Sequence, residues 1–487
     1  MTKTKDYSKY FTTPNLKEAR KRSKEKTQTL QYEISEEMKN IGVGKSYYIK
    51  TYGCQMNERD SEIIAGILEE MQYQKSENLE DADVIIFNTC AVRETAESKV
   101  YGAIGALKHL KLHNPDLIIG LCGCMSQEEK TIQKILTKYP QIDLIFGTHN
   151  YYRLPILLKE AILSKEKVIE VWSKEGDIVE GLPSTREYKH KAFINIMYGC
   201  DKFCTYCIVP YTRGKERSRK MEDIMKEVRA LEKKGYQEIT LLGQNVNAYG
   251  KDLKDVNYGF STLLREIQKT TIPRVRFTTS HPWDFTEELI DVIASGKNLM
   301  PYIHLPVQSG SNEILKKMGR GYTRESYLEL FKLIKKKIPN VTVTTDIIVG
   351  FPGETEKDFE DTLSLVKECQ FDGAYTFIYS KREGTPAAKM RDDVPLEEKK
   401  RRLEILNKLV DENALKSNKK SEGKVVEVLV DGVNKKDENK LVGYTETNKL
   451  VHFIGNKKYI GKIVPVKITK VRTWILDGEL YLEEKDS

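Results

Sequence analysis

The sequence predicts an α/β protein in three parts: a parallel-sheet domain at the amino end, a full or partial barrel of parallel strands, and a small all-β barrel or sandwich at the carboxyl end. Three observations predict it. Between 45 and 165, apolar strand-length runs alternate with helical sequence, the pattern of a parallel sheet covered on both faces. Between 189 and 418, six more strand candidates alternate with helices, without antiparallel hairpin signals. After 421 the strands become short and closely spaced, with turn residues between them.

The elements follow in order. Residues 1–44 read as a basic N-terminal extension, with the charge run KEARKRSKEK at 17–26 and the sequence Gly42-Val43-Gly44 at its end. Such a run is either a solvated, partly helical arm or a contact for an RNA backbone. In the first domain (45–165), Ser46-Tyr47-Tyr48-Ile49-Lys50-Thr51 reads as a strand and 58–72 as an amphipathic helix. Asp83-Val84-Ile85-Ile86-Phe87-Asn88 and Leu117-Ile118-Ile119-Gly120-Leu121 are continuous apolar strands. Residues 166–188, with Gly181-Leu182-Pro183-Ser184, read as a linker. The core (189–418) places strands at 192–197, 238–242, 275–279, 302–306, 341–349 and 374–378. Periodicity alone leaves a doubly wound open sheet as the alternative to a barrel. A charged helix is expected over about 395–420. In the tail domain (421–487), strands fall at 424–430, 440–444, 451–454, 462–469 and 474–476, with turns at Asn434-Lys435-Lys436 and Asn456-Lys457-Lys458.

Charged residues make up 31% of 487, and the net charge of +8 favours an anionic partner, nucleic acid first. No run of about 18 apolar residues occurs and no signal-peptide pattern opens the chain, so the expectation is a cytoplasmic protein without a membrane segment. In a reducing compartment its eight cysteines point to metal binding or catalysis rather than disulfides.

Cys200, Cys204 and Cys207 form CxxxCxxC in Gly199-Cys200-Asp201-Lys202-Phe203-Cys204-Thr205-Tyr206-Cys207. Three thiolates can hold three corners of a four-iron cubane and leave the fourth iron open. Cys54, Cys90 and Cys124 each follow a predicted strand. In a parallel sheet the carboxyl ends share one edge, where ligands bind, so these three are expected to converge as a second three-thiolate set. Each could instead be a small buried apolar residue, which is the reading given to Cys122 and Cys369. Structural zinc wants four closed ligands. Neither set offers a fourth cysteine or a nearby histidine, and His190 lies in too charged a context to favour as a ligand, so an iron–sulfur cluster fits better.

A CxxxCxxC after the first strand of a βα barrel resembles the radical SAM superfamily, whose members hold a [4Fe–4S] cluster through those cysteines and bind S-adenosylmethionine at the open iron. The wider arrangement resembles the methylthiotransferase family: dispersed cysteines, a radical SAM core in a (β/α) partial barrel, and a small C-terminal β-barrel similar to a TRAM domain. Thr51-Tyr52-Gly53-Cys54-Gln55-Met56-Asn57, the run Cys204-Thr205-Tyr206-Cys207-Ile208-Val209-Pro210-Tyr211-Thr212-Arg213-Gly214, Thr279-Ser280-His281-Pro282 and His304-Leu305-Pro306-Val307-Gln308-Ser309-Gly310-Ser311 look like its MiaB-type, tRNA-modifying branch. The branches acting on threonylcarbamoyl-adenosine or on a ribosomal protein read differently around the first cysteine.

The resemblance implies two [4Fe–4S] clusters and S-adenosylmethionine as cofactors. It implies a methylthio group added at C2 of N6-isopentenyladenosine 37 in the anticodon loop of tRNA. One S-adenosylmethionine would donate a methyl group to sulfur at the second cluster, and another would start the radical step. A reductant protein such as flavodoxin is the expected electron donor, and a monomer the expected state. By the same resemblance Gly243 and Gln244 contact S-adenosylmethionine, although a plain polar loop also accounts for them. Asp346-Ile347-Ile348-Val349-Gly350-Phe351-Pro352-Gly353-Glu354 resembles the turn beside adenine, or a tight turn without a ligand. Tyr211, Arg213, Lys215, Arg217 and Arg219 suit phosphate contact or a solvated loop. The contrasting reading is a zinc-containing RNA-binding module without catalysis.

Overall fold

The computed structural model describes residues 16–22, 27–91, 94–172, 176–254 and 256–481. The outer part of the N-terminal extension, a fragment of the expected linker and the last six residues of the tail lie outside them.

The chain divides into two compact units: residues 1–187 with 197–219 and 382–388, and residues 188–196 with 220–381 and 389–487. The CxxxCxxC stretch therefore clusters with the N-terminal sheet, although the chain reaches it from the first strand of the core.

In the first unit six parallel strands stand in the spatial order Gln74–Lys75, Ser46–Tyr52, Val84–Thr89, Ile118–Gly123, Leu144–Phe146 and Val168–Glu170. The strand at 168–170 lies inside the stretch expected to be a linker, and Ile178–Glu180 pairs in parallel with Thr29–Gln31 of the N-terminal extension. Val84–Thr89 and Ile118–Gly123 are buried throughout because helices cover both faces. Val84 and Ile86 pack with Ile64, Leu68, Leu154 and Leu157 on one side. Ile85 and Phe87 pack with Val100, Ile104, Ile132 and Ile135 on the other. The chain passes from Ser46–Tyr52 to its neighbour on one side and then crosses to Val84–Thr89 on the other, so the strand order reverses between those two strands. Such a switch point opens a crevice at the carboxyl ends, where open α/β sheets bind ligands.

In the second unit Lys191–Asn195, Glu238–Leu242 and Arg274–Phe277 run parallel, as do Tyr302–His304, Thr342–Val349 and Gly373–Ile378. The bridge Val275↔Leu299 joins the two sets. Among the described residues the outermost strands, Lys191–Asn195 and Gly373–Ile378, do not pair, so the barrel is partial. The charged helix Leu396–Lys419 follows. Then comes a closed barrel in the order Val425–Asn434, Asp437–Thr445, Leu450–Ile454, Leu476–Leu480, Ile463–Val471, which settles barrel over sandwich. Its last strand starts at Leu476 rather than 474, because the Arg472 N–H donates to the Ile475 carbonyl and makes a turn of the intervening residues. Among the described residues no helix is long and apolar enough to cross a membrane.

Candidate active site

Cys54 sits between Ser46–Tyr52 and the helix Gln55–Glu70, as the residue that caps that helix. The helix begins three residues before the position periodicity suggested, because its first turn is held by polar groups rather than by an apolar stripe. The Cys54 N–H and thiol both donate to Asn57 Oδ1, at 3.3 and 3.4 Å. Asn57 Nδ2 donates to Asn88 Oδ1 at 3.1 Å and to the Thr89 carbonyl at 3.2 Å. Asn88 Nδ2 returns a bond to the Asn57 carbonyl at 2.8 Å. This buried amide pair locks the strand end before Cys90 to the turn that carries Cys54, across the switch point. Cys124 opens the short turn Cys124–Gln127 directly after Ile118–Gly123. Gly123 precedes it at φ +93°, and a Cβ there would stand 2.3 Å from the Thr89 carbonyl. The strands thus approach each other so closely at this edge that only glycine fits.

Cys54, Cys90 and Cys124 all follow carboxyl ends of neighbouring strands. Cys54 is exposed, while Cys90 and Cys124 are buried. Cys122, two residues before Cys124, is buried in the sheet core as expected, and Cys369 ends the helix Glu356–Cys369 with its side chain buried.

The second set lies on a loop of the same unit. Gly199, at φ +73°, lies so close to the returning chain that a Cβ would meet the Lys215 carbonyl at 1.9 Å. The Cys200 N–H donates to the Gly214 carbonyl at 3.1 Å and the Cys207 N–H to the Cys204 carbonyl at 3.0 Å. Tyr198 and Arg217 pair across the base of the loop. Ala91, beside Cys90, packs with Cys124 and with Ile208, beside Cys207, and Tyr211 lies against them. The two cysteine sets therefore occupy adjoining ground.

Arg213 links them most directly. It is almost fully buried, its Nε donates to the Cys124 sulfur at 3.1 Å, and its Nη2 stands 2.7 Å from Asp60 Oδ2. The Tyr151 hydroxyl donates to the same carboxylate oxygen at 2.9 Å. Burial pushes the Cys124 thiol up, and Arg213 beside it pulls it back down. Burial pushes the Cys200 thiol well above its usual range, and Glu216 adds to the shift.

The basic run after the cysteines is neither a phosphate-facing surface nor a solvated loop, because Arg213, Lys215, Arg217 and Arg219 are all buried. Arg217 Nη1 donates to the Gly176 carbonyl at 2.6 Å, and Arg219 makes a two-pronged contact with the Glu180 carboxylate at 2.6 and 2.7 Å. A guanidinium satisfies several fixed acceptors at once, so these cations tie the loop to the N-terminal sheet unit.

The residues that sequence reading passed over are Asp60, Asn57 and Asn88. A signal was present: Asn57, Asp60 and Ser61 recur at helical spacing on a face that is otherwise core, and buried polar groups at such spacing need partners.

In the other unit Gly243 and Gln244 follow the strand Glu238–Leu242; Gly243 is buried and Gln244 half-buried. Gly350 and Gly353 both take positive φ after Thr342–Val349. The Gly350 N–H donates to Glu354 Oε1 at 2.9 Å, and Arg402 holds the same carboxylate at 2.7 Å, so that turn is braced from within.

Whether the cysteines suit a cluster can be judged from the donors present. Among the described residues no three Cys, His or carboxylate side chains are already drawn together tightly enough to hold a metal ion. The candidate donors are nevertheless thiols, three on one loop and three following the carboxyl ends of neighbouring strands. The Arg213 cation lies against one of them, where bound thiolates would concentrate negative charge. Such soft donors beside a buried cation fit iron–sulfur chemistry, and burial of the neutral thiols means that binding metal would release protons.

Comparison with known proteins gives three domain matches: residues 46–147 to Uncharacterized protein family UPF0004, 194–366 to the Radical SAM superfamily, and 419–481 to the TRAM domain. The tRNA-2-methylthio-N(6)-dimethylallyladenosine synthase of Geobacillus thermodenitrificans (strain NG80-2) is 62% identical over 99% of this chain and 93% of its own length. The protein of the same name from Bacillus subtilis (strain 168) is 61% identical over 98% of this chain and 95% of its own. Among solved structures, the radical S-adenosylmethionine methyltransferase TsrM of Kitasatospora setae, with cobalamin and a [4Fe–4S] cluster bound, shares the fold. Its TM-score is 0.53 at 14% identity, covering 71% of this chain and 77% of that one.

Proposed function

We propose, from the premise that this chain belongs to the family of tRNA-2-methylthio-N(6)-dimethylallyladenosine synthases, that its two cysteine sets serve one sulfur-insertion reaction. The protein is a radical SAM tRNA methylthiotransferase that adds a methylthio group at C2 of N6-isopentenyladenosine 37, and its cofactors are two [4Fe–4S] clusters and S-adenosylmethionine. Relatives named for dimethylallyladenosine do not favour threonylcarbamoyl-adenosine, a ribosomal protein or a non-catalytic zinc module as the alternative.

Cys200, Cys204 and Cys207 would hold one cluster, and Cys54, Cys90 and Cys124 the other. Clusters held there would supply the electron for cleaving S-adenosylmethionine and a place to hold sulfur for the transfer. The chain's own residues do the positioning. Gly199 lets the cysteine loop fold back on the 214–215 backbone, the Asn57–Asn88 amides fix the strand ends, and Arg213 supplies a buried donor to Cys124. Gly243 and Gln244 would meet S-adenosylmethionine. A reductant protein such as flavodoxin would deliver electrons to a cytoplasmic monomer.

The adjoining of the two cysteine sets through Arg213 and the Ala91–Cys124–Ile208 cluster is the observation that carries this reading. Anaerobically reconstituted protein is expected to hold on the order of eight irons per chain, two cubanes' worth. Replacing Cys54, Cys90 and Cys124 together by alanine should leave about four irons and intact cleavage of S-adenosylmethionine, with no methylthio product. Full iron content in that variant would sink the assignment. Persistence of 2-methylthio-isopentenyladenosine in tRNA from a strain lacking the protein would sink the substrate.

A further inference from the structure

We propose that the helix Leu16–Arg22 of the N-terminal extension is part of the RNA-docking surface beside the CxxxCxxC loop. This rests on the reading of tRNA as substrate.

The segment is held in place by its neighbours. Thr29–Gln31 pairs with Ile178–Glu180, and the Tyr32 N–H donates to the Glu180 carbonyl at 2.9 Å. Glu180 is the residue that grips Arg219 at the end of the cysteine loop, so arm and loop are fastened to one strand. The helix itself has a seated side and an open side. Ala19 is buried. The Arg20 guanidinium lies 5.8 Å from the centre of the Phe203 ring, between Cys200 and Cys204, and its charge also acts on the Tyr211 phenol. Phe203 takes a left-handed backbone conformation, φ +48°, a costly state for a bulky residue. Lys17, Arg20 and Lys21 are exposed.

Charge complementarity names the occupant. A nucleotide that reacts at the cysteine loop brings its flanking phosphates with it, and a phosphodiester backbone is the anion that arrives in a row. The cations of the 213–219 run are buried, whereas Lys17, Arg20 and Lys21, among the described side chains of the helix, are exposed cations beside that loop. Each phosphate they neutralise would release counterions, so binding becomes salt-dependent in proportion to the number of such contacts. The cation over Phe203 adds an attraction between guanidinium and ring that keeps the helix in register with the site.

The test is the affinity of isopentenylated tRNA for the reconstituted full-length protein, measured between 50 and 200 mM salt, for wild type and for K17E/K21E. Circular dichroism and iron per chain serve as controls for folding. The variant is expected to bind roughly tenfold more weakly, and its slope of log affinity against log salt should fall by about 1 to 2, the contribution of one or two phosphates. Ala19→Asp, which unseats the helix without touching its lysines, should weaken binding in the same direction. Equal affinity and slope in wild type and K17E/K21E would overturn the proposal. So would unchanged RNA binding together with faster bleaching of the clusters by oxygen when residues 1–22 are removed, because the helix would then be a cover. Failure of the wild type itself to bind the tRNA would instead overturn the substrate reading.

Discussion

Arg213 donates to the Cys124 sulfur with one nitrogen and meets Asp60 with another, which makes it both a structural cation and a neighbour of the proposed cluster. The two roles can be separated. Arg213→Met strands the buried Asp60 carboxylate, and breaking a buried pair from one side costs about 3 to 5 kcal/mol. Thermal melts should show that loss. Arg213→Met/Asp60→Asn removes both charges and should regain most of the stability. The reduction potential of the cluster proposed for Cys54, Cys90 and Cys124, followed by redox titration of its electron paramagnetic resonance signal, should still fall in the double variant, because a hydrogen-bond donor and a positive charge beside a ligating sulfur favour the reduced form. An unchanged potential would make Arg213 a structural residue alone. The six cysteines stand out in sequence as candidate ligands because thiols are few and their spacing is informative. Arg213 is not, since its neighbours in the chain are also basic and only packing shows which cation faces a sulfur.

The strand Arg274–Phe277 shows how a short element can have two unlike duties. Phe277 meets Phe260 edge to face at 5.2 Å on one side. Arg274 and Arg276 lie on the other. Arg274 donates to the Tyr444 and Glu427 carbonyls at 2.8 and 3.0 Å, and Arg276 to those of Glu446 and Thr445 at 2.8 and 2.7 Å. His190 adds a contact to Asp431 at 3.1 Å, which gives that histidine a docking partner rather than a metal. Four backbone carbonyls of the tail barrel thus depend on two guanidiniums at the amino-terminal side of the core strands. Arg274→Met removes a charged donor from two of them, at about 1.5 to 3 kcal/mol for each hydrogen bond lost. The expected outcome is a lower melting temperature and release of the tail barrel by limited proteolysis before the core is cut. Sequence periodicity identified this strand but gave its arginines no task, because the acceptors lie more than 150 residues away.

At the scale of the whole chain, the tail is also fastened by a lysine that burial makes reluctant to carry charge. Lys449 donates to the Ser417 carbonyl and hydroxyl at 2.9 and 3.0 Å. Burial lowers its pKa from 10.5 to about 8, against a partial counter-pull from Asp372. A base with a depressed folded value holds fewer protons folded than unfolded between those two limits, so its contribution to stability rises as pH increases from about 8 to 10.5 and stays at its minimum below 8. The melting temperature of wild type minus that of Lys449→Met should therefore climb across that window and be flat between pH 6 and 7.5. A flat difference throughout would mean that the ammonium is not desolvated. The sequence by itself determined the order of parts and the parallel character of both α/β regions, because periodicity and spacing are local properties that survive without a fold, and its motifs carried the resemblance to the family. Tertiary structure decided what depends on distance. It closed the tail into a barrel, left the core barrel open, and put the CxxxCxxC loop in the unit of the N-terminal sheet. It also buried a basic run that composition alone would leave in water, because fixed carbonyl and carboxylate partners can replace hydration only once the chain has brought them within hydrogen-bonding range.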